Sequence, residues 1–415
     1  MPLTLADCMR LDAQDPGHTH WAQMGDRFDP GTPGTLYFDA NSIGPMPRTA
    51  PLKMQTVLQE GWAKARRRSW NEHDWLAQPR SLGASIAHLI GAGSNDVRVT
   101  DTTSINQYKL LRYALSVAAP RRVIVLEHHV FPSNRYVAEA IARDHLAELR
   151  FIDDASQLSA ALAPKDVAVV ALSPVDYRSS TRLDMAELNR SIRAAGAMSL
   201  WDLSHSAGAV AIALRQSDAD LAVGCGYKYL CGGPGAPAFL YIHPRWADAA
   251  WPAIAGWMGH ADTFAFEPTY QPGTGADRFL VGTPSVLANA AFSAAAQLWE
   301  EVDPVDLDQR HSSLTDTLIQ LFDEQCAAWP LRLLSPRNHV QRGGHVALQF
   351  EGASALAQAL VEQGVIVSSR KPDALRWGIH PLTTSHQQLW SAVQVLRQLL
   401  TSGSWQDARF ERPMV

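Results

Sequence analysis

An acid and an amine stand in two glycine-bearing segments, Trp201-Asp202-Leu203-Ser204-His205-Ser206-Ala207-Gly208 and Gly226-Tyr227-Lys228-Tyr229-Leu230, the second leading into Gly232-Gly233-Pro234-Gly235. A lysine can hold an aldehyde as a Schiff base, and a carboxylate beside a pyridine nitrogen keeps that ring protonated as an electron sink. Pyridoxal phosphate chemistry requires that pair. The two residues lie 228 − 202 = 26 positions apart. Taken singly, Asp202 would read as a loop cap and Lys228 as a surface lysine. Asp-x-x-His-x-x-Gly followed by Tyr-Lys-Tyr and a glycine loop favours the chemical reading.

The elements that must position this pair are strands. Residues 198–201 form an apolar run that ends at Asp202, and residues 221–224 form a second that ends just before Tyr227-Lys228. Both side chains then leave the carboxyl ends of strands, the edge where ligands bind in open α/β sheets. Further runs at 97–100, 122–126, 149–152, 167–172 and 238–242 bring the number to seven, with helical spacing at 135–145 and 186–195 between them. Continuous apolar runs separated by helices predict a doubly wound, mainly parallel seven-stranded sheet.

After about Pro284 the texture changes to long helical stretches at 286–302 and 307–329, a strand at 345–350, and helices at 354–363 and 385–400. This predicts a large cofactor-binding domain over 51–284 and a smaller α+β domain over 285–415. Residues 1–50 hold one strand-like run, Leu36-Tyr37-Phe38, and are expected to wrap onto the small domain.

A chain of 415 residues exceeds the usual size of a single core, and 46 % hydrophobic residues suffice for two. The net charge of −5 and the lack of a basic stripe argue against nucleic acid or an anionic membrane as partner. The start of the chain has neither a basic n-region nor an apolar h-region, and no run approaches the ~20 residues of a membrane span, so a soluble, cytoplasmic protein is expected. Cys8, Cys225, Cys231 and Cys326 form no C-x-x-C pair, and the 15 histidines form no H-E-x-x-H, so neither disulfides nor a metal site is expected.

Longer motifs carry a family resemblance. They are Tyr37-Phe38-Asp39-Ala40-Asn41-Ser42-Ile43-Gly44, Arg68-Ser69-Trp70-Asn71, Val99-Thr100-Asp101-Thr102-Thr103-Ser104-Ile105-Asn106, Phe131-Pro132-Ser133, the two segments above, Gly256-Trp257-Met258-Gly259-His260 and Val281-Gly282-Thr283-Pro284. Over residues 8 to 410 or so, the chain resembles the kynureninases, members of the class V aminotransferase-like, fold type I pyridoxal phosphate enzymes. The resemblance implies hydrolysis of L-kynurenine or 3-hydroxykynurenine to anthranilate or 3-hydroxyanthranilate and L-alanine.

It also implies residue roles. Lys228 would hold the cofactor and move protons, Asp202 would pair with the pyridinium, and Tyr227 would donate to the phosphate or serve as a proton source. His205 would order Asp202 or the ring, Phe131 would stack on the ring, and Ser173 would lie at its edge. Thr103 and Ser104 would bind phosphate, while Trp257 and Thr283 would reach it from the neighbouring subunit of a homodimer. Arg376, with Asn41 and Ser42, would grip the carboxylate of a small amino-acid substrate.

The match has departures. Asn134 stands where the family has an aspartate near the cofactor, Thr383 where tyrosine is usual and Ala40 where glycine is usual; Pro174 to Ser180 also end differently. These leave open a kynureninase-like β-lyase or aminotransferase acting on another amino acid. A cysteine desulfurase is disfavoured because Cys326 lies in a helical stretch rather than a glycine-rich loop. A non-catalytic cofactor-binding protein would have no use for Arg376.

Overall fold

The computed structural model describes residues 2–15 and 17–411. In chain order its strands are β1 (Leu36–Tyr37), β2 (Val97–Val99), β3 (Val123–Glu127), β4 (Glu148–Ile152), β5 (Val167–Leu172), β6 (Met198–Asp202), β7 (Leu221–Gly224) and β8 (Phe239–Ile242). They continue with β9 (Arg332–Leu333), β10 (His345–Gln349), β11 (Val365–Ile366), β12 (Ser368–Arg370) and β13 (Ala374–Gly378). All seven apolar runs form one sheet in the order β2-β8-β7-β6-β5-β3-β4. β8 runs antiparallel to both its neighbours, and the pairings among β3 to β7 are parallel.

The largely apolar sequences of the inner strands follow from their being covered on both faces. All six residues of β5 are buried. One face of the sheet, with Val123, Val125, Trp201 and Ala222, packs on Leu82, Ile86, Ile192 and Phe292. The other, with Ile124, Leu126, Leu200 and Val223, packs on Leu110, Leu111, Ala138 and Ile141. Helix Val286–Trp299, although beyond residue 284, adds Phe292 and Trp299 to the first of these cores.

A second core lies between the sheet β12-β13-β10-β9 and helices Pro304–Gln325, Ala353–Glu362 and His386–Ser402. The first of these helices starts ahead of the apolar period because Asp303 accepts from Val305 N and Asp306 N and Pro304 occupies its first turn. The N-terminal segment divides its contacts. β1 pairs in parallel with β11, and Asp12 caps helix His386–Ser402 by accepting from the backbone N–H groups of His386 and Gln387. Trp21, Met24 and Phe28, however, join the core of the large sheet. Among the described residues, no helix is long and apolar enough to cross a membrane.

Candidate active site

Four chain ends converge on one cavity of about 610 Å³. β6 delivers Asp202, whose Oδ2 accepts from Asn134 Nδ2 at 2.8 Å and whose Oδ1 accepts from Ser204 N at 3.0 Å. β3 leads into Phe131, the cap of helix Pro132–Arg143, so the aromatic ring and Asn134 are fixed by the same first turn. β7 ends at Gly224, and the chain then bends tightly through Gly226 to Lys228. A Cβ on Gly226 would stand 2.4 Å from Pro237 O, so glycine is required there. Lys228 Nζ lies 3.0 Å from His205 Nε2 and 5.6 Å from the centre of the Phe131 ring.

The fourth end is the start of helix Thr103–Val117, capped by Thr102, whose hydroxyl accepts from Ile105 N. First-turn amides have no partner within a helix and attract anions. Asp101, which also lines the cavity, would oppose an anion, yet the buried Lys109 pairs with it and donates to Phe279 O at 2.7 Å. The negative charge of Asp101 is thereby matched, and the helix start stays available to a phosphate.

Protonation states follow from burial. His205 is pushed well below its ordinary value by desolvation, then by the charges of Lys228 and Arg376, so it is neutral. The Tyr227 hydroxyl is pushed up to about 12, chiefly by burial and then by Cys225 and Asp202, so it keeps its proton. Burial likewise pushes the Cys225 thiol up, so this cavity-lining cysteine is not a thiolate nucleophile.

Of the residues singled out from sequence, Lys228, Asp202, Tyr227, Thr103, Ser104, Phe131, Asn134, Ser173, His205 and Ser42 line this cavity. Arg376 lies one layer behind it. Its Nη1 donates to Tyr177 O at 2.7 Å and its Nη2 to Ser368 Oγ at 3.0 Å and Ser42 Oγ at 3.4 Å. Burial, with Arg370 nearby, pushes Arg376 down to about 9. Asn41 is fully buried, and neither atom of its amide has a partner. Trp257 and Thr283 are exposed and lie outside the cavity wall.

Sequence reading passed over Glu127, which also faces the cavity; its only signal was an acid closing the run Val123-Ile124-Val125-Leu126. Burial, followed by the charges of Asp176 and Asp154, pushes its carboxyl up from 4.5 to about 7. Between these values the folded chain holds a proton that the unfolded chain has released. Stability therefore falls as pH rises from about 4.5 to about 7, and the full cost applies above that window. Glu127→Gln is expected to stabilise the apo chain by about 1–3 kcal/mol at pH 8, with the gain largely gone at pH 5. Thermal unfolding at both pH values checks this, and an equal gain at both would refute it.

These donors suit pyridoxal phosphate: a helix start for the phosphate, a carboxylate held ready for a ring nitrogen, an amine for the aldehyde and an aromatic face beside it. A family model described as the kynureninase C-terminal domain matches residues 307–396. The chain is 40% identical to a kynureninase of Pseudomonas fluorescens over 416 residues, and 39% identical to one of Burkholderia mallei over 413 residues. Each alignment covers 98% of both chains. Among solved structures, a cysteine desulfurase from Thermococcus onnurineus superposes with a TM-score of 0.76 at 19% identity, covering 92% of this chain and 98% of its own. A C-DES mutant with glycine covalently linked to its pyridoxal phosphate gives 0.74 at 22% identity, covering 89% and 98%. At such identities the structural likeness speaks for the fold, while the near full-length matches at about 40% reach further: the chain belongs to the kynureninase family of pyridoxal phosphate enzymes.

Proposed function

We propose that this enzyme hydrolyses L-kynurenine, or its 3-hydroxy form, to anthranilate, or 3-hydroxyanthranilate, and L-alanine. The observation that carries the reading is the presence of Asp202 and Lys228 on the wall of one cavity that ends at a helix start. Pyridoxal phosphate supplies an electron sink there.

Lys228 would hold pyridoxal phosphate through its aldehyde, and its amine, once free, would move the proton at the substrate's Cα. Asp202, oriented by Asn134 and Ser204, would keep a proton on the ring nitrogen. As water adds to the substrate's γ-carbonyl, the protonated Tyr227 donates to the developing oxyanion. The Cβ–Cγ bond then breaks, the oxygen of that water leaves in the aryl carboxylate, and Cβ takes up a proton to give alanine.

Arg376 would receive the substrate α-carboxylate once Ser42 turns aside from Nη2. Arg376→Gln is expected to raise KM by roughly 30–1000-fold, the equivalent of about 2–4 kcal/mol, with a smaller change in kcat. Steady-state kinetics followed by anthranilate fluorescence measure this, and an unchanged KM moves the clamp elsewhere.

The reading includes a cytoplasmic homodimer in which Trp257 and Thr283 of each subunit complete the phosphate site of the other. In support, both stand outside their own cavity, and the apolar side chains of Trp62, Trp257, Phe264 and Phe266 are exposed. The test of the reaction is to add L-kynurenine to the cofactor-loaded enzyme and follow anthranilate and alanine together. Both products in equal amounts support it. A change in the cofactor spectrum with no anthranilate would overturn it in favour of another amino acid.

A further inference from the structure

Behind Lys228, two imidazoles have nitrogens without partners. His205 Nδ1 and both ring nitrogens of His345 are buried and reach no partner in full hydrogen-bond geometry in the described structure, although the Arg178 carbonyl stands close enough to the His345 ring to act on it as an acceptor. An unsatisfied buried polar group costs roughly 1–3 kcal/mol, so several together call for an explanation other than packing. His205 follows β6 of the large sheet, whereas His345 opens β10 of the small one. Their ring centres are 6.1 Å apart with planes tilted by 60°. That separation is too great for a direct hydrogen bond between ring nitrogens and within the span of one bridging water.

The proton positions are linked. Both rings are neutral, because burial and the nearby Arg376 push each well below its ordinary value, helped at His205 by Lys228 and at His345 by His311 and Arg370. A neutral imidazole has one N–H and one lone pair. The Arg178 carbonyl faces the His345 ring and can only accept, so the nitrogen turned to it carries the proton and the other offers its lone pair. On the opposite side, Lys228 Nζ stands 3.0 Å from His205 Nε2. A proton donated by that amine requires a lone pair on Nε2, which puts the His205 proton on Nδ1.

We propose that His345 is a positioning residue. Through one buried water it takes up the Nδ1–H of His205 and so keeps His205 Nε2 as the hydrogen-bond acceptor for Lys228 Nζ. The water would accept from His205 and donate to the lone pair of His345, while His345, after a small turn of its ring, would donate to Arg178 O. Each ring nitrogen then has a partner, and in one sense only. The inference rests on the reading of Lys228 as the working amine, and it gives the small domain a part in setting that amine's environment.

The test is nitrogen-15 NMR of histidine-labelled protein, with and without cofactor, His205 being assigned by its loss in His205→Gln. The wild-type protein is expected to show His205 as the Nδ1–H tautomer. In His345→Leu the tautomer should change to Nε2–H, and kcat should fall roughly 10–100-fold with KM within about twofold. His345→Gln, whose amide can donate to Arg178 and accept from the same water, should restore both the tautomer and most of kcat. An Nε2–H tautomer in the wild type overturns the proposal, as does a leucine variant with unchanged tautomer and kcat. Should the leucine variant fail to fold, the wild-type and glutamine spectra still decide. Absence of kynurenine turnover in the wild type would sink the proposed reaction and leave the tautomer result standing on its own.

Discussion

Lys228→Ala is expected to abolish the visible absorbance of covalently held cofactor and to lower turnover by about 10⁴-fold or more, because one substitution removes both the covalent anchor and the proton carrier. Among the described residues lining the cavity, no second lysine stands ready to take over. Lys109 also lies near the cavity, but it is buried, bound to Asp101 and to Phe279 O, and needed to offset that acid at the helix start. The loss should not be a folding defect. Lys228 is a buried amine whose charge acts against His205, so the apo variant should unfold at or above the temperature of the wild-type apo chain. Absorbance spectra and product fluorescence measure the effect, and retention of both signals would dismantle the site assignment.

Asp202→Asn is expected to leave the cofactor attached through Lys228 while kcat falls on the order of 10²–10⁴-fold. The reason lies in the hydrogen bonds. Asn134 Nδ2 and Ser204 N both donate into the carboxylate, an arrangement that suits an acceptor on both oxygens. An amide would set its own NH₂ against one of these donors and would carry no charge for the ring nitrogen. The readout is the cofactor spectrum alongside single-turnover kinetics. Unchanged kcat would mean that another group protonates the ring.

The large sheet was legible because strands covered on both faces are mainly apolar, as β5, β7 and β8 are throughout, while β2, β4 and β6 keep enough apolar positions around Arg98, Arg150 and Ser199 to be read as strands. The acid of β6 and the lysine after β7 were placed by the same logic, since strand ends define the ligand edge. The small-domain strands were less legible. β11 and β12 are two and three residues long and only partly buried, and β13 carries Arg376 in its middle, so no clean period marks it. A helix opening at Thr103-Ser104 was expected and is there, but the extent of helix Thr103–Val117 was less legible, because it buries Asn106, Gln107 and Lys109 among its apolar residues. The sequence identified Asn134 as a change near the cofactor, but its bond to Asp202 depends on a side chain 68 positions away. Glu127 and His345 escaped notice for a related reason. What sets Glu127 apart is burial near Asp176 and Asp154, and what sets His345 apart is its place against His205, neither of which a linear pattern records.

The pairing of Leu36–Tyr37 with Val365–Ile366 has a consequence in time. A ribosome makes β1 more than 300 positions ahead of its partner, so β1 cannot be seated until β11 has emerged. Asn41 and Ser42, which follow it directly, take their places beside Arg376 only then. An unfinished chain could already bring Asp202, Lys228 and the start of helix Thr103–Val117 together, while the end meant for the substrate carboxylate is completed only once β11 has been made.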